Sequence, residues 1–298
     1  MDNIVTIQNL SKNYGSIRAL DGLNLEVQKG DVLGILGPNG SGKTTTLGII
    51  LGILQADSGN FVWFNDAYGK HHRRKIGSIL ETPNFYPYLN ADDNLSIVAQ
   101  IKNIENPRID EALETVDLLC RRKSKFSTYS LGMKQRLAIA GAILGDPEVL
   151  LFDEPTNGLD PNGIADVRNI LKRLAEQGNT IIMASHILDE VEKICNKVAI
   201  LKKGKLLSCN PIGSQSKSNV MFEISAIDMD KLNKTLSSNH HIKITESNLT
   251  MIKGHFVMET STQDFSRYLY DSGNIITHFN IRKQNLEEDY LKITSNKA

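Results

Sequence analysis

The sequence predicts an α/β fold built around a mostly parallel β-sheet, with an N-terminal antiparallel β layer before it and a small α+β domain after it. Apolar runs alternate with stretches of helical spacing, which is typical of parallel sheets covered by helices on both faces. One apolar run ends in a glycine-rich loop that precedes a helix, and a later run ends in two acidic residues. A linker-like stretch then separates this part of the chain from the remainder.

The elements of the larger part follow from these patterns in chain order. The sequence predicts three short strands, at 4–8, 23–28 and 61–64, which form the N-terminal β layer. The run DVLGILG (31–37) predicts a buried strand, and helical spacing follows from Lys43 to about Ile53. Further strands and helices are predicted at EVLLFD (148–153), 162–176, NTIIMAS (179–185), 187–195 and KVAILKKG (197–204). Residues 85–145 have helical spacing without a clear strand, and they predict a helical insert.

A change in composition after Cys209 predicts a boundary between two domains. The stretch NPIGSQSKSN (210–219) is rich in Pro, Gly, Ser and Asn, as linkers are. We therefore expect a first domain at 1–209 and a small α+β accessory domain at 220–298. Its predicted elements are a strand at 220–225, a helix at 228–237, strands at 241–246 and 249–259, a helix at 262–271, a strand at 274–281 and a helix at 284–293. This order resembles the split β-α-β unit of ferredoxin-like folds.

The composition argues against several classes of function. The 298 residues include 34 basic and 34 acidic side chains, so the net charge is zero, whereas a general nucleic-acid binder is usually basic. No apolar run approaches the ~20 residues that span a bilayer, and the first residues do not resemble a signal peptide. Cys120, Cys195 and Cys209 are widely separated, which indicates reduced thiols of a cytosolic protein and no disulfide frame or zinc site.

The loop GPNGSGKT (37–44) predicts a phosphate-binding site. It has a glycine, four residues and then Gly-Lys-Thr, and it lies between an apolar strand and a helix, as this pattern requires. The glycines let successive N–H groups point at phosphate oxygens, and the helix adds its positive end. We expect Lys43 to reach the β- and γ-phosphates and Thr44 to ligate Mg²⁺. The residues predicted to bind nucleotide here are Gly37, Pro38, Asn39, Gly40, Ser41, Gly42, Lys43, Thr44 and Thr45.

Two acidic residues, Asp153 and Glu154, end the apolar run VLLFDE. At the carboxyl end of a parallel sheet both can reach the crevice where ligands bind. We expect Asp153 to hold Mg²⁺ through its water shell, and Glu154 to orient the attacking water and accept its proton. His186 follows the run TIIMAS and is either a surface residue or a contact of the γ-phosphate. Asp160 and Pro161 are expected to be the N-cap and the first residue of a helix.

Four motifs occur in the order and approximate spacing of the ATP-binding subunits of ABC transporters: GPNGSGKTT, YSLGMKQR, LLFDEPTNGLDP and SH. The chain resembles this family over residues 1 to about 208, and it is most similar to the subunits of bacitracin and lantibiotic peptide exporters. The resemblance implies a P-loop NTPase fold of the ABC ATPase type that hydrolyses ATP with Mg²⁺. The stretch YSLGM occupies the family's signature position and differs from its usual Leu-Ser-Gly-Gly-Gln, but it retains Ser130 and Gly132.

Several roles are implied by the resemblance, residue by residue. Ser130 and Gly132, at the N-terminus of the signature helix, would cap the γ-phosphate of ATP held by a second copy of the chain. The same stretch can also be the N-capped start of a core helix, and the two interpretations are compatible. Tyr14 would stack on adenine, unless it is only a tyrosine at the end of a strand. Asp160 would touch the partner copy, and His186 would be the switch histidine.

The segment that precedes the helical insert leaves two questions open. Glu81 stands where the family usually has glutamine, so it is either a metal ligand or a docking residue. The aromatic residues Phe85, Tyr86 and Tyr88 follow. They either grip a cytoplasmic helix of a membrane partner or form the small core of the insert, because large aromatics are enriched in both places.

The resemblance also implies how the chain works. Two copies would form a homodimer around two ATP molecules at the cytoplasmic face of the membrane. The dimer would drive a separate membrane permease that exports a peptide antibiotic or a similar amphipathic compound. The alternative is a soluble ABC ATPase of DNA repair or translation. The single phosphate loop and the absence of sustained heptads argue against it. The signature stretch and Glu154 argue against a P-loop kinase, and the lack of a clear Asn-Lys-x-Asp motif argues against a GTPase.

Overall fold

The computed structural model describes residues 3–80, 82–212, 220–257, 261–283 and 286–295, and the chain divides into two compact units, Met1–Cys209 and Asn210–Ala298. The first strands are β1 (Asn3–Tyr14), β2 (Ile17–Gln28), β3 (Val32–Leu36), β4 (Ser58–Trp63), β5 (Ile76–Ile79), β6 (Val149–Asp153), β7 (Thr180–Ser185), β8 (Lys197–Lys202) and β9 (Lys205–Pro211). The helices among them are α1 (Lys43–Ile50), α2 (Ala91–Ile101), α3 (Ile109–Thr115), α4 (Leu131–Ile143), α5 (Pro161–Glu176) and α6 (Leu188–Ile194). The remaining elements are β10 (Val220–Ala226), α7 (Met229–Ser237), β11 (Ile242–Ser247), β12 (Ile252–Phe256), α8 (Thr262–Asp271), β13 (Ile276–Lys283) and α9 (Leu286–Ser295).

A six-stranded sheet forms the centre of the first unit, in the order β5-β6-β7-β3-β8-β9. The neighbouring pairs from β5 to β8 are parallel. Every residue of β3, β6 and β7 is buried, as expected for strands covered on both faces. Because β7 lies between β3 and β6, the loops that follow these three strands leave the sheet side by side at its carboxyl edge.

A three-stranded antiparallel sheet, in the order β2-β1-β4, forms the N-terminal β layer. Buried positions alternate with exposed ones along much of β2, as in a sheet with one solvated face. The buried face shares one hydrophobic core with α1 and the main sheet, in which Ile7, Leu47 and Ile182 take part. The predicted α/β fold class, with a mostly parallel sheet and an antiparallel layer, is confirmed.

Some element boundaries differ from the predicted ones. The helix that begins at Lys43 ends at Ile50 and not at Ile53. It stops there because Gly52 takes a positive φ of 70° and donates its N–H to the Ile49 carbonyl at 2.8 Å. The sequence patterns do not predict β5 and β9. The first has only four residues, and the second has no fully buried residue, so neither forms a clear apolar run.

The segment predicted as a helical insert consists mainly of helices and loops. Residues 85–145, all of which the structure describes, contain α2, α3 and α4 and no strand. Asn90 caps α2 by accepting a hydrogen bond from the Asp93 N–H at 3.0 Å. In the described parts of the chain, no helix combines the length and apolarity needed to cross a bilayer.

The second unit has its own antiparallel sheet, in the order β11-β12-β10-β13. The described elements follow one another as β-α-β-β-α-β-α, and the strand order is that of a split β-α-β unit. Its core contains Phe222, Phe256 and Phe265, whose ring centroids lie 4.8 to 5.4 Å apart. Such aromatic contacts add to the stabilisation from apolar burial alone.

The stretch between the units departs in part from the predicted linker. Asn210 and Pro211 are the last two residues of β9. Residues 213–219 of the predicted linker lie outside the described residues. The strands predicted at 249–259 and 274–281 are observed as β12 and β13, with shifted ends.

Candidate nucleotide-binding and catalytic site

The loop between β3 and α1 has a shape that only glycine permits at several positions. Gly40 and Gly42 take positive φ angles of 76° and 104°. A Cβ on Gly37 would lie 2.3 Å from the Leu201 carbonyl oxygen, and one on Gly42 would lie 2.5 Å from the Ala19 carbonyl oxygen. The loop is therefore held close to the neighbouring backbone, and its glycines are required by the fold as well as by a phosphate ligand.

Lys43 is the first residue of α1, and its side chain folds back over the loop. The ammonium donates hydrogen bonds to the carbonyl oxygens of Gly37 at 2.8 Å and Pro38 at 3.3 Å, and the residue is only 6% exposed. The first turn of α1 contains no acidic residue and its N-cap, Gly42, has no side chain to occupy the N–H groups. Backbone donors, a helix N-terminus and a buried cation thus share one small region, which favours an anion such as a phosphate.

The other residues of the loop divide by exposure. Pro38, Asn39 and Gly40 form its exposed tip, and Thr45 is half-buried. The Ser41 side chain is buried, and its carbonyl accepts a hydrogen bond from the Gly204 N–H at 3.0 Å. Ser41 therefore anchors the loop to the turn after β8, while the tip is open to a ligand.

Glu154 joins the phosphate loop to the histidine that follows β7. Its carboxylate lies 3.5 Å from the Lys43 ammonium through Oε1 and 2.9 Å from His186 Nδ1 through Oε2. Its backbone takes a positive φ of 47°, and its N–H donates to the Ala184 carbonyl at 2.9 Å. The sequence predicts Lys43, Glu154 and His186 from three separate motifs. They lie together at the carboxyl edge of β3, β6 and β7, with the Glu154 carboxylate between the Lys43 ammonium and the His186 ring.

Asp153 and Thr44 are the described residues that the sequence predicts to offer oxygen atoms to a divalent cation. Asp153 ends β6 and is 4% exposed, whereas Thr44 lies exposed in the first turn of α1. Among the described residues, no three His, Cys, Asp or Glu side chains are grouped so that they could hold a metal ion by themselves. This donor set fits Mg²⁺, which is usually held by one or two protein groups together with phosphate oxygens and water. Glu81, the third predicted metal ligand, lies outside the described residues.

Ser130 and Gly132 lie at the exposed N-terminus of α4, which lies next to the N-terminus of α5. Ser130 caps α4 by accepting a hydrogen bond from the Met133 N–H at 3.3 Å, and Asp160 caps α5 by accepting one from the Gly163 N–H at 2.8 Å. A Cβ on Gly132 would lie 3.6 Å from the Gly163 Cα, so the first turns of α4 and α5 are neighbours. The expectation that Asp160 is an N-cap followed by Pro161 as a first-turn residue is confirmed.

Tyr14 ends β1 at the hairpin that leads into β2. Its ring is 46% exposed and lies 5.6 Å from the Lys12 ammonium. An exposed ring at a hairpin is free to stack on a planar ligand, but it also fits a plain strand-end tyrosine.

The aromatic cluster before α2 divides between the two interpretations. Phe85 packs edge-on against Phe126, with ring centroids 5.3 Å apart, and thus contributes to the core of the insert. Tyr86 and Tyr88 are 49% and 65% exposed, with ring centroids 5.9 Å apart. Buried Asn94, which the sequence motifs do not single out, holds this segment by accepting from the Tyr86 N–H and donating to the Tyr86 carbonyl. The sequence signal that could have identified Asn94 is its position in the first turn of a helix, where asparagine often bonds to the nearby backbone.

Comparison with known protein families and sequences gives consistent matches. The family model described as "ABC transporter" matches residues 20–157. The chain is 36% identical to the bacitracin transport ATP-binding protein BcrA of Bacillus licheniformis, over 98% of both chains. It is 39% identical to the lantibiotic transport ATP-binding protein SrtF of Streptococcus pyogenes, over 68% of this chain and 89% of that protein.

Solved structures agree with these matches. The structure of cbiO1 from Clostridium perfringens, described as part of the ABC transporter complex cbiONQ, has a TM-score of 0.64 and 31% identity, over 71% of this chain and 89% of that one. The dimeric structure of MJ0796, described as a bacterial ABC transporter cassette, has a TM-score of 0.62 and 28% identity, over 70% of this chain and 98% of that one.

Proposed function

The chain belongs to the ABC transporter family of ATP-binding proteins and is an ATPase, and from this premise we propose that two copies close around two ATP molecules to drive a separate membrane permease. One observation carries the proposal. The phosphate loop and the exposed, Ser130-capped N-terminus of α4 are separate features of one chain, and each is suited to one side of a phosphate. A helix end alone contributes only ~0.3–2 kcal/mol, so Ser130 and Gly132 act as the second wall of a site whose first wall is Lys43 in another copy.

The residues around the loop account for hydrolysis in this proposal. When ATP enters, Lys43 leaves the Gly37 and Pro38 carbonyls and binds the β- and γ-phosphates. Glu154 accepts a proton from water while the water oxygen bonds to the γ-phosphorus and the bond from that phosphorus to the ADP oxygen breaks. His186 holds the Glu154 carboxylate in place through the 2.9 Å contact. Thr44 and Asp153 would hold Mg²⁺, which supplies charge neutralisation at the phosphates when bound.

The cargo and the membrane partner are proposed from the relatives and from the surface of the insert. The named functions of two relatives, bacitracin transport and lantibiotic transport, support export of a peptide antibiotic or a similar amphipathic compound. The exposed pair Tyr86 and Tyr88 supports a contact with a cytoplasmic segment of the permease, since exposed aromatic pairs are common interface anchors. The chain would then work at the cytoplasmic face of the membrane.

Mixing two inactive variants tests whether the site is shared between copies. Lys43→Ala removes the phosphate ligand, and Ser130→Arg blocks the second wall. Each variant alone should lose ATP hydrolysis, and the mixture should recover part of it, because one site of a mixed dimer keeps both Lys43 and Ser130. Ser127→Arg, at an exposed serine one turn away, is the control and should hydrolyse normally. Normal hydrolysis by Ser130→Arg alone would contradict the shared site.

Fractionation tests the permease. The chain should sediment with membranes only when its permease is co-expressed, and changing Tyr86 and Tyr88 together to serine should release it without a loss of ATP hydrolysis in solution. Export is then tested by survival of cells in bacitracin or a lantibiotic. A chain that remains in the supernatant in every case, with full ATPase activity, would instead support an ABC ATPase that is not coupled to transport.

A further inference from the structure

The hairpin between β1 and β2 carries Tyr14 and lies beside the phosphate loop. A Cβ on Gly42 of that loop would lie 2.5 Å from the Ala19 carbonyl oxygen, so the start of β2 touches the loop. Tyr14 pairs with Ile17, which is two residues and thus about 7 Å along β2 from Ala19. A nucleotide whose phosphates lie in the loop can therefore extend its base toward Tyr14.

The end of β1 is held by a side chain where its regular pairing stops. The pairing of β1 with β4 ends at Ser11, and the pairing with β2 is irregular on both sides of Lys12. Asp57, the residue before β4, replaces the missing contacts. Its carboxylate accepts hydrogen bonds from the Asn13 N–H at 2.7 Å, from Asn13 Nδ2 at 3.0 Å and from the Lys12 ammonium at 2.9 Å. Asp57 thus fixes the two residues that precede Tyr14.

Lys12 in turn contacts the Tyr14 ring. Its ammonium lies over the ring, 5.6 Å from the centroid, a distance at which a cation is attracted to an aromatic face. The Lys12 side chain is 17% exposed, whereas Tyr14 is 46% exposed. The hydrogen bond from Lys12 is the main cause of a pKa of Asp57 below its usual value, so the carboxylate that holds the ammonium is charged at neutral pH. An ammonium over one face of the ring leaves the other face for a flat ligand.

We propose that Asp57 and Lys12 are positioning residues for the adenine base of ATP. Asp57 fixes the end of β1 and the Lys12 ammonium, and Lys12 orients the Tyr14 ring so that its other face stacks on the base. The inference rests on the proposed function, because it requires ATP in the phosphate loop with its base against Tyr14. Asp57 and Lys12 act through the ring and not on the phosphates.

A comparison of two ligands separates an effect on the base from an effect on the phosphates. Ribose 5-triphosphate has the sugar and the phosphates of ATP but no base, and its affinity is measured as competitive inhibition of ATP hydrolysis by the full-length chain. Tyr14→Ala should raise the KM for ATP at least about five-fold, the lower end of what stacking a base on an aromatic ring contributes. The inhibition constant of ribose 5-triphosphate and kcat should not change.

Two variants then test the positioning residues. Lys12→Gln removes the cation, and Asp57→Asn keeps an oxygen for the Asn13 N–H but loses the charge that holds Lys12. Each should raise the KM for ATP about two- to five-fold, the contribution of a cation–π contact at an exposed site. Because neither side chain acts on the phosphates, kcat and the inhibition constant of ribose 5-triphosphate should again stay unchanged.

Three further variants are the controls. Lys12→Arg keeps a cation over the ring and should retain the KM of the unchanged chain. Asp57→Asn in the Tyr14→Ala background should add nothing, since the ring through which Asp57 acts is absent. Glu246→Gln removes an exposed carboxylate that pairs with Lys253 at 3.0 Å in the second unit, and it should change neither KM nor kcat.

Three outcomes would overturn the inference. If Tyr14→Ala raises the KM for ATP but Lys12→Gln and Asp57→Asn do not, the ring stacks without their help, and the proposed function stands. If these two variants weaken ribose 5-triphosphate as much as ATP, or lower kcat, they act on the fold of the hairpin and not on the base. If Tyr14→Ala leaves the KM for ATP unchanged, the base does not stack on this ring, and the inference fails with its premise.

Discussion

At Glu154 the backbone has a left-handed conformation, which costs a residue with a side chain about 1–3 kcal/mol. The surrounding contacts hold it there. The N–H bonds to the Ala184 carbonyl, and the carboxylate meets the Lys43 ammonium and the His186 ring. This conformation turns the carboxylate from the end of β6 toward the phosphate loop.

Replacing Glu154 by glutamine tests this role. The amide keeps the size of the side chain and a hydrogen bond to His186, but it does not accept a proton at neutral pH. We expect ATP hydrolysis to fall by about 10²–10⁴-fold, the usual contribution of a general base. Nucleotide binding, measured by titration with a fluorescent ATP analogue, should be retained. Hydrolysis within a few-fold of the unchanged chain would show that another group activates the water.

Asp92, a charged residue of the helical insert, allows a second test, which concerns the stability of the fold. It lies in the first turn of α2, and Arg122 Nε donates to both of its carboxylate oxygens at 2.9 Å, while Lys123 lies 2.9 Å away. Burial raises the pKa of Asp92, but the hydrogen bonds from Arg122 and Lys123 outweigh it and lower the pKa below its usual value. Arg122 also holds Asp110 of α3 at 2.7 Å.

The sign of the pH dependence follows from this lowered pKa. A carboxylate whose pKa is depressed in the folded chain stabilises the fold above its unfolded pKa of ~3.9 and loses that contribution as the pH falls through the folded value. Asp92→Asn should therefore lower the free energy of unfolding by about 1–3 kcal/mol at pH 7. The difference between the two chains should shrink below about pH 4, and urea unfolding at several pH values measures it. A constant difference from pH 7 to pH 3 would contradict the assignment.

At the scale of the element, α4 and α5 show how the ends of helices are satisfied. Ser130 and Asp160 cap their N-termini. At the other end of α4, the Lys102 ammonium donates to the carbonyl oxygens of Gly141, Ala142 and Leu144 at 2.8 to 3.2 Å. The first turns of α4 and α5 are thus both capped, and they lie side by side.

Asp160 has two roles to separate, the N-cap of α5 and the proposed contact with the partner copy. Asp160→Ala removes both, whereas Asp160→Ser keeps a side-chain oxygen for the Gly163 N–H and loses only the carboxylate. We expect the alanine variant to lose about 0.5–2 kcal/mol of stability and the serine variant to lose little. If the partner contact matters, ATP hydrolysis should fall in both variants. A fall in the alanine variant alone would assign Asp160 to capping only.

Most elements of the first unit could be predicted from the sequence, because they are strongly patterned. The buried strands β3, β6 and β7 have unbroken apolar runs, and α5 has a clear apolar face between Asp160 and Gly178. The elements that could not be predicted are those stabilised by neighbours instead of by their own pattern. β5 is four residues paired to β6, and β9 is a half-buried edge strand.

The site could be predicted as a set of residues but not as an arrangement. The loop, Asp153, Glu154 and His186 are visible as motifs, and the parallel sheet brings them to one edge. The sequence does not predict the left-handed conformation of Glu154 or the hydrogen bonds of Lys43 to two loop carbonyls. Both depend on contacts that the three-dimensional fold creates.

At the scale of the whole molecule, the chain consists of two units with separate cores. One core contains residues from β1 to β9 and includes Leu33, Leu47 and Leu151. The other lies within the second unit and includes Phe222, Phe256 and Phe265. The described residues that form the nucleotide site all belong to the first unit. We therefore propose that residues 1–209 and 220–298 are domains that fold separately.

A shortened chain tests the separation. A chain of residues 1–212 keeps β9 complete, since that strand ends at Pro211. It should fold, bind ATP with an affinity within a few-fold of that of the full chain and unfold in one cooperative transition, because its core retains its apolar burial. Circular dichroism and ATP titration measure these properties. Aggregation of the shortened chain, or loss of ATP binding in a folded one, would show that the first unit needs the second.

A substitution in the full chain provides the control for that deletion. Phe265 is 1% exposed and contacts Phe222, Phe256 and Phe279, so Phe265→Ala leaves a cavity in the core of the second unit. It should lower the free energy of unfolding of that unit by about 3–5 kcal/mol. If the units are independent, the full chain unfolds in two transitions, and only the transition of the second unit shifts. ATP binding, a property of the first unit, is then retained at temperatures between the two transitions. A shift of both transitions together would mean that the units unfold as one.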